Sequence, residues 1–244
     1  MKDNFSTQAK LYAQFRPTYP QALYDYVLAY TQGRKVAWDC ATGNGQVAEV
    51  LATHFEEVKA TDISQKQLDE AKPLHNIQYL ISSAEQTPFA DDSFDLITVG
   101  QALHWFDFER FNAEVYRVAK SGAVLAVWGY ELLNISKEID AAIVHFYKNI
   151  VGSYWDFERL HIENHYANVP FPYEDIRFEV FSQTYTWRIE ELMGYLSTWS
   201  SVQKFIKQNG YNPVSQFVEE VRPLWNDEMM TVTFPVFLKM GRVL

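Results

Sequence analysis

Residues 36–51 read VAWDCATGNGQVAEVL, and this stretch decides the fold of the chain. A short apolar run ends at Cys40, a loop with two glycines follows, and apolar residues then recur at helical spacing from Val47. This order predicts a strand, a tight turn and a helix. Gly43 and Gly45 let a ligand approach the backbone without meeting a Cβ atom, and the helix N-terminus that follows favours polar ligand atoms.

Strands and helices alternate along the rest of the chain. The apolar patterns predict further strands at 57–61, 77–81, 94–99 and 123–128, a helix from the N-cap Ser64 through Ala71, and a helix at 111–119. Later strands are predicted at 178–187 and 230–240, with helices at 189–198, 202–207 and 214–224 between them. Regular alternation with apolar strands indicates a parallel sheet covered on both faces. We therefore predict an α/β fold with a doubly wound, seven-stranded, mainly parallel sheet.

An aromatic-rich segment follows the fifth strand and is predicted to be a cap inserted at residues 130–176. No internal repeat or low-complexity linker divides the chain, so residues 1–244 are predicted to be a single domain. Within it, residues 1–34 form an N-terminal helical segment over the ligand and residues 35–129 form the binding core. Residues 177–244 hold the last strands with further helical cap segments.

The composition excludes several classes of function. The formal net charge is −10, from 31 acidic and 21 basic residues, so a nucleic-acid surface is not expected. The first residues lack the apolar stretch of a secretory signal, and no apolar run is long enough for a membrane span. The single cysteine, Cys40, can form no internal disulfide. We expect a cytoplasmic protein that acts on a small molecule, without a nucleic-acid or membrane partner; the oligomeric state stays open.

The glycine loop by itself leaves two classes of cofactor open. Residues 43–48 (GNGQVA) fit the dinucleotide pattern G-x-G-x-x-A, and an acidic residue, Asp62, closes the second strand. A nicotinamide-dependent oxidoreductase is therefore one hypothesis. A cofactor without phosphates would use the same loop and the same carboxylate.

Further motifs separate these hypotheses. Along the chain they are the stretch 16–20 (RPTYP), Asp39 with Gly43 and Gly45, Asp62, Ser83-Ala84-Glu85, and the stretch 101–106 (QALHWF). In this order they resemble the class I S-adenosylmethionine-dependent methyltransferases, particularly the branch that includes the trans-aconitate methyltransferases. Ala41 departs from the family pattern, because it stands where a first glycine is usual. The likeness extends more loosely through residues 197–200 and covers almost the whole chain, and a dehydrogenase would not require the stretches outside the loop and Asp62.

The resemblance implies a Rossmann-like methyltransferase fold that binds S-adenosylmethionine. Asp62 would accept hydrogen bonds from the ribose hydroxyls, Ile63 would pack on the adenine, and Arg16 would hold the carboxylate of the methionyl end. The full set of residues expected at the cofactor is Tyr12, Arg16, Asp39, Ala41, Gly43, Gly45, Asp62, Ile63, Ser83, Ala84, Glu85 and Gln101.

The acceptor site is predicted from the cap and from the stretch after the fourth strand. The residues expected there are His104, Trp105, Trp128, Tyr130, Trp155 and Arg159. The resemblance implies that a small organic acid is methylated to its ester, and a carboxylate is already ionised at neutral pH, so it needs no base. A hydroxyl or amine acceptor would instead use His104 as a general base. A non-catalytic cofactor-binding protein is a third hypothesis.

No metal site is predicted. His161 and His165 have the i, i+4 spacing of a helical metal site, but no third ligand is evident and Glu163 does not follow the first histidine directly.

Overall fold

A seven-stranded sheet organises the computed structural model, which describes residues 15–226 and 228–244. The strands are β1 (Val36–Cys40), β2 (Glu57–Asp62), β3 (Ile77–Ile81), β4 (Phe94–Gly100), β5 (Ala119–Tyr130), β6 (Glu174–Trp187) and β7 (Met230–Arg242). Their order in the sheet is β3-β2-β1-β4-β5-β7-β6. The first five strands pair in parallel, whereas β7 is antiparallel to both β5 and β6. The predicted doubly wound, mainly parallel α/β sheet is confirmed.

Helices cover the sheet and build the cap. The α-helices are α1 (Gln21–Tyr30), α2 (Gln46–Leu51), α3 (Gln65–Leu68), α4 (Phe108–Val118), α5 (Lys137–His145), α6 (Leu160–Glu163), α7 (Ile189–Ser197), α8 (Ser200–Asn209) and α9 (Pro213–Val221). Short 3-10 turns span Leu103–Trp105, Gly152–Tyr154, Phe157–Arg159 and Arg222–Leu224, and a π-helical turn spans Phe146–Ile150.

Both faces of the central strands are buried, which explains why these strands read as continuous apolar runs. In β1, Ala37 packs into the core on one face, whereas Trp38 and Cys40 pack into the core on the other. The first core includes Leu23 of α1, and the second includes Phe111 of α4. Side chains of a strand alternate between faces, so each strand contributes to both cores.

The cap has two parts that meet over the sheet. The connection from β5 to β6 carries α5 and α6, and the connection from β6 to β7 carries α7, α8 and α9. Aromatic rings join the two parts: the ring of Phe146 lies 4.8 Å from that of Phe217 and 6.2 Å from that of Trp199. The aromatic cluster expected from the sequence is present, and it draws on both connections.

Several predicted boundaries are wrong. The helix predicted at 111–119 begins at Phe108, because the side chain of Asp107 accepts a hydrogen bond from the Arg110 N–H and caps the helix. It ends before Ala119, which is the first residue of β5. The helix after Ser64 ends at Leu68, short of Ala71, and β6 begins at Glu174, because its pairing with β7 extends to that residue.

The sheet topology locates the ligand crevice. β1 lies between β2 and β4, and the connections after β1 and β4 lead to opposite faces of the sheet, toward α2 and α4. In open α/β sheets, ligands bind at the carboxyl ends of the strands where the connections diverge. The glycine loop after β1 and the 3-10 turn after β4 therefore border the same crevice.

We predict that Gly45→Ala lowers the free energy of unfolding by more than the cost of a left-handed backbone conformation alone. Gly45 has φ +86°, and a Cβ there would lie 2.6 Å from Tyr79 Oη. The left-handed conformation costs about 1–2 kcal/mol for a non-glycine residue, and the contact with Tyr79 adds to that cost. Urea denaturation measures the free energy of unfolding.

Gly122→Ala is the matched control. Gly122 has a similar φ of +80°, but no atom lies within 4 Å of the place where its Cβ would stand. Gly122→Ala therefore reports the backbone cost alone. Equal destabilisation by the two variants would show that Tyr79 moves aside at no cost and that the loop is not tightly packed.

Candidate active site

A carboxylate ties the glycine loop to the second strand. Asp62 Oδ2 accepts a hydrogen bond from the Gly43 N–H at 2.9 Å, and Oδ1 accepts one from the Ser64 N–H at 2.9 Å. The loop itself turns tightly, since the Gly45 N–H donates to the Thr42 carbonyl at 3.0 Å. Asp62 therefore lies at the mouth of the loop, where the sequence predicted it.

Left-handed backbone recurs through this loop. Ala41, Gly43 and Gly45 have φ values of 56°, 58° and 86°. Glycine adopts this region without a Cβ penalty, whereas alanine does not. Ala41 is therefore the strained residue of this loop, and it stands where the family pattern has glycine.

Asp39 is a buried residue whose carboxylate accepts a hydrogen bond from the glycine loop. Its side chain is 1% exposed, the Thr42 hydroxyl donates to its Oδ2, and the Thr98 hydroxyl donates to its Oδ1 at 2.9 Å. Burial raises the pKa of Asp39 to about 7, because removal from water disfavours the charged carboxylate. Asp39 joins β1, β4 and the loop, and its burial separates it from the exposed surface of the crevice.

The third-strand motif lies beside Asp62 at the edge of the sheet. Ser83 forms an antiparallel bridge with Gln86, and Ala84 is buried in the core. Glu85 Oε1 accepts a hydrogen bond from the Asp107 N–H at 3.2 Å, which links this segment to the start of α4. Ile63, next to Asp62, is half-buried.

A separate group of predicted residues lines one pocket, which we call the inner pocket. It has an empty volume of about 410 Å³. Its lining residues are Arg16, Gln101, His104, Trp105, Trp155, Asp156, Arg159, Ile162 and Ser200. The fold thus brings together two residues predicted for the cofactor, Arg16 and Gln101, and four predicted for the acceptor.

Other predicted residues lie elsewhere. Tyr12 lies outside the described residues. Trp128 is fully buried, with Tyr19 and Tyr24 packed edge-on against its ring, and it does not line the inner pocket. Tyr130 is also buried and contacts two lining residues: Arg16 Nη1 donates to its hydroxyl, and its N–H donates to Gln101 Oε1 at 2.8 Å.

Sequence reasoning missed three lining residues and one supporting residue. Asp156, Ile162 and Ser200 line the inner pocket, and Tyr166 lies behind His104. Ser200 stands at the end of the stretch 197–200 that resembles the family, which is a signal that could have singled it out. Asp156 and Ile162 follow no recognisable pattern in the sequence.

The inner pocket is cationic, although the protein as a whole is acidic. Arg16 and Arg159 line it, and the carboxylate of Asp156 forms an ion pair with Lys204. Arg16 is anchored, since its Nη2 donates to the Thr198 carbonyl at 3.1 Å and its guanidinium lies 5.7 Å from the ring of Tyr195. Two guanidinium groups with one paired carboxylate favour an anionic ligand.

Arg159 is held in place by an aromatic frame. Its guanidinium carbon lies 4.5 Å from the centre of the Trp155 ring, and its Nε–H donates to the Tyr147 hydroxyl at 2.8 Å. That hydroxyl in turn donates to Glu163. Across residues 15–226 and 228–244, only the Nε–H of Arg159 has a hydrogen-bond acceptor, so both Nη groups can bind an anion bidentately.

His104 is buried and neutral. It is 5% exposed, and burial lowers its pKa well below the usual value, with the charge of Arg159 and His161 acting in the same direction. The imidazole therefore carries a single proton at neutral pH.

Tyr166 decides which nitrogen of His104 holds that proton. The Tyr166 hydroxyl lies 3.2 Å from His104 Nδ1, and burial raises the pKa of Tyr166, so the phenol stays protonated. A buried hydroxyl needs an acceptor, and Nδ1 is within hydrogen-bond distance of this one. We predict that the hydroxyl donates to Nδ1, which places the imidazole proton on Nε2. In that tautomer His104 can donate a hydrogen bond from Nε2 and has no lone pair there to act as a base.

Comparisons with known proteins agree with this geometry. Residues 38–127 match the family model of a methyltransferase domain. A methyltransferase of Dictyostelium discoideum is 31% identical over 249 residues, covering 98% of this chain and 95% of the relative. The structure of a type II methyltransferase from Anaeromyxobacter dehalogenans superimposes with a TM-score of 0.87 at 34% identity, covering 94% of this chain and 99% of that one. Phosphoethanolamine N-methyltransferase 2 of Haemonchus contortus, solved with S-adenosylhomocysteine, shares the fold alone, with a TM-score of 0.52 at 16% identity over 98% of this chain and 58% of that one.

The glycine loop, Asp62 and the doubly wound sheet define an enzyme that binds a nucleoside-containing cofactor. The chain belongs to the S-adenosylmethionine-dependent methyltransferases, whose cofactor is S-adenosylmethionine. The hypothesis of a nicotinamide-dependent oxidoreductase is thereby excluded.

The described residues include neither a membrane-spanning helix nor a cluster of metal ligands. Within residues 15–226 and 228–244, no helix has the length and apolar character needed to cross a membrane. Over the same residues, no group of three or more His, Cys, Asp or Glu side chains is arranged to hold a metal ion.

We predict that the buried Asp39 makes the protein less stable as the pH rises from about 4 to 7. Over this range the native state keeps a proton on Asp39, whose pKa is about 7, while the unfolded state releases it. The free energy of unfolding then falls by at most about 1.4 kcal/mol per pH unit for this one proton. Asp39→Asn removes the contribution, so its stability, measured by urea denaturation at several pH values, falls less over this range than that of the wild type.

Asp95 is a control, because its effect on the pH dependence of stability has the opposite sign to that of Asp39. Burial alone would raise its pKa, but hydrogen bonds from Lys120 and from backbone N–H groups outweigh it and lower the pKa below the usual value. Asp95 therefore stabilises the fold above the pKa of the unfolded state, and this stability is lost as the pH falls. Parallel pH profiles for the wild type and Asp39→Asn would contradict a buried, protonated Asp39.

We also predict that His104 carries its proton on Nε2. Nitrogen-15 NMR distinguishes a protonated from an unprotonated imidazole nitrogen, and the His104 signals are identified by their loss in His104→Gln. In the wild type, Nδ1 is expected to be unprotonated at neutral pH, and Tyr166→Phe is expected to produce a mixture of the two tautomers. A protonated Nδ1 in the wild type would reverse the assignment and restore His104 as a candidate base.

Proposed function

We propose that the enzyme transfers the methyl group of S-adenosylmethionine to the carboxylate of a small organic acid and forms a methyl ester. The observation that carries the proposal is the inner pocket, where Arg159 and the Nε2–H of His104 offer donors to an anion. The resemblance of the stretches 101–106 and 16–20 to the trans-aconitate methyltransferases supports the same class of acceptor.

The donor groups at the glycine loop fit a cofactor without phosphates. A pyrophosphate would require free N–H groups in this loop, but the Gly43 N–H already donates to Asp62, and the carboxylate would repel a phosphate. Carboxylate oxygens can accept from several donors at once, so Asp62 also suits the two ribose hydroxyls.

The remaining residues proposed at the cofactor follow from their positions. Ile63 and the Ser83-Ala84-Glu85 segment flank Asp62 at the end of β2 and β3, where the adenine would lie. Arg16 and Gln101 line the inner pocket and would bind the methionyl end, with Tyr12 on the same N-terminal segment as Arg16. Asp39, Ala41, Gly43 and Gly45 would shape the loop that the cofactor contacts.

Methyl transfer to a carboxylate needs positioning and the exclusion of water. When bound, the cofactor supplies an electrophilic methyl group on a positively charged sulfur. A carboxylate oxygen held in the inner pocket would form its bond to this carbon as the carbon–sulfur bond breaks, and no proton would be transferred. Opposite charges are neutralised in this step, so a site closed to water by Trp105 and Trp155 lowers the barrier.

The residues of the inner pocket have separate roles in this reaction. The Nη groups of Arg159 would bind one oxygen or both oxygens of an acid, and the Nε2–H of His104 would orient the group that reacts. Because burial lowers the pKa of His104, its donor form persists through the neutral range. The same properties make His104 a poor base, which argues against hydroxyl and amine acceptors.

The proposal predicts that labelled methyl groups are transferred to organic acids and released by mild alkali. Purified enzyme is given methyl-labelled S-adenosylmethionine with carboxylic acids, phenols or amines in parallel. Because no proton is transferred, kcat/KM for an acid should vary little between about pH 6 and 8. Arg159→Met should lower kcat/KM by about 10- to 100-fold, which corresponds to the loss of a charge-assisted hydrogen bond of about 1.5–3 kcal/mol.

Arg177→Met is the matched control, because Arg177 also stacks on an aromatic ring, Tyr30 at 4.2 Å, but lies on β6 and not at the inner pocket. It should react at the wild-type rate. Label that survives alkaline treatment would exclude an ester and favour methylation of oxygen or nitrogen in another group. Tight binding of S-adenosylmethionine by calorimetry, with no transfer to any acceptor offered, would favour the non-catalytic cofactor-binding hypothesis.

A further inference from the structure

A second pocket adjoins the inner pocket on its solvent side, and we call it the outer pocket. Its empty volume is about 670 Å³. Its lining residues are Tyr147, Lys148, Gly152, Trp155, Asp156, Phe157, Arg159, Leu160 and Glu163. All of them come from one stretch of the cap, between the π-helical turn and the end of α6.

The two pockets share a wall. Trp155, Asp156 and Arg159 line both of them. The ring of Trp155 stacks on the Arg159 guanidinium, so the shared wall carries both an aromatic ring and a positive charge. The Arg159 guanidinium and the Trp155 ring can therefore contact a ligand from either pocket.

The outer pocket exposes apolar side chains. Phe157 is 77% exposed, the highest value for a large apolar side chain in the described residues, and Leu160 is 43% exposed. Both follow directly after the shared wall in sequence, on the 3-10 turn Phe157–Arg159 and on α6. Leaving such side chains in water gives up the hydrophobic free energy that a ligand would recover by covering them.

The carboxylates of the outer pocket already have partners. Glu163 accepts a hydrogen bond from the Tyr147 hydroxyl, and Asp156 pairs with Lys204. These carboxylates therefore do not require a cationic ligand. The surface that remains is formed by the rings of Trp155 and Phe157 and the side chain of Leu160, with the exposed Lys148 beside them. This surface suits a chain or ring of carbon atoms.

We propose that the outer pocket is a binding site for the apolar tail of the acceptor. The enzyme then acts on an organic acid whose carboxylate lies in the inner pocket and whose hydrocarbon chain or ring covers Trp155, Phe157 and Leu160. This inference rests on the proposed methylation of carboxylates, and it adds the class of acid: an acid with an apolar tail is preferred over a short or wholly polar one.

A series of straight-chain monocarboxylic acids from acetate to octanoate tests the proposal. The full-length enzyme is assayed for kcat/KM with each acid, and calorimetry measures the binding of the same acids in the presence of S-adenosylhomocysteine. In the wild type, kcat/KM and affinity should each rise by up to about fourfold for every added methylene, the factor that corresponds to about 0.8 kcal/mol per buried methylene. The rise should continue until the tail covers the apolar surface.

Variants of Phe157 test whether the dependence on chain length arises in the outer pocket. Phe157→Ser should reduce the gain per methylene in both measurements, whereas Phe157→Leu, which keeps an apolar side chain, should retain most of it. Phe178→Ser is the matched control, because Phe178 is a 48% exposed phenylalanine on β6, outside both pockets. Its dependence on chain length should equal that of the wild type.

The outcomes separate the two levels of the proposal. Ester formation that is independent of chain length in the wild type, or equally dependent on it in Phe157→Ser, would overturn the tail site and leave carboxylate methylation standing. Failure of every acid to form an ester, while S-adenosylmethionine binds, would overturn the proposed function and the tail site together. A steep dependence that is lost in Phe157→Ser and kept in Phe178→Ser supports both.

Discussion

The hydrogen bond from the glycine loop to Asp62 is the interaction on which the rest of the site depends. The Asp62 carboxylate accepts the N–H of Gly43, which joins the end of β1 to the end of β2, and it also accepts the N–H of Ser64 close by in its own segment. Three left-handed residues make the loop tight enough for this contact. Since the parallel strands end at the same edge of the sheet, the carboxylate also faces the crevice where the cofactor of this family binds. The side chain that restrains the loop is thus also the one that we propose for the cofactor's ribose.

The charge of the inner pocket is opposite in sign to the net charge of the chain. The protein carries a net charge of −10, yet two arginines line the inner pocket, and its one acidic lining residue is paired with Lys204. Arg16 comes from the segment before α1 and Arg159 from the cap, so the cationic site exists only after the cap has folded over the sheet. The aromatic frame of Tyr147 and Trp155 fixes Arg159 without neutralising it. This arrangement can hold an anion in the inner pocket.

His104 illustrates how burial selects a chemical role. In water, histidine titrates near neutral pH and serves as an acid or a base. Next to Trp105 and Tyr166, desolvation keeps the imidazole neutral, and Nδ1 lies within hydrogen-bond distance of the phenol. In the predicted tautomer His104 offers a fixed N–H donor. A site of this kind favours substrates that are already ionised.

Much of the fold could be predicted from the sequence, because local patterns express it directly. The apolar runs of the buried strands, the glycines of the loop and the N-cap at Ser64 each record a local physical requirement, and the alternation of strands and helices implies the parallel sheet. The wrong boundaries lie where tertiary contacts override the pattern, as where pairing with β7 extends β6 to Glu174. Trp128 looked like a residue of the acceptor wall, but its position on β5 buries it between the sheet and α1.

The sequence by itself determined the class of enzyme and the cofactor loop, since both depend on residues close together in the chain. Only the tertiary structure decided the pairing of His104 with Tyr166, the cationic inner pocket and the outer pocket, because these arise from side chains that are distant in sequence and brought together by packing.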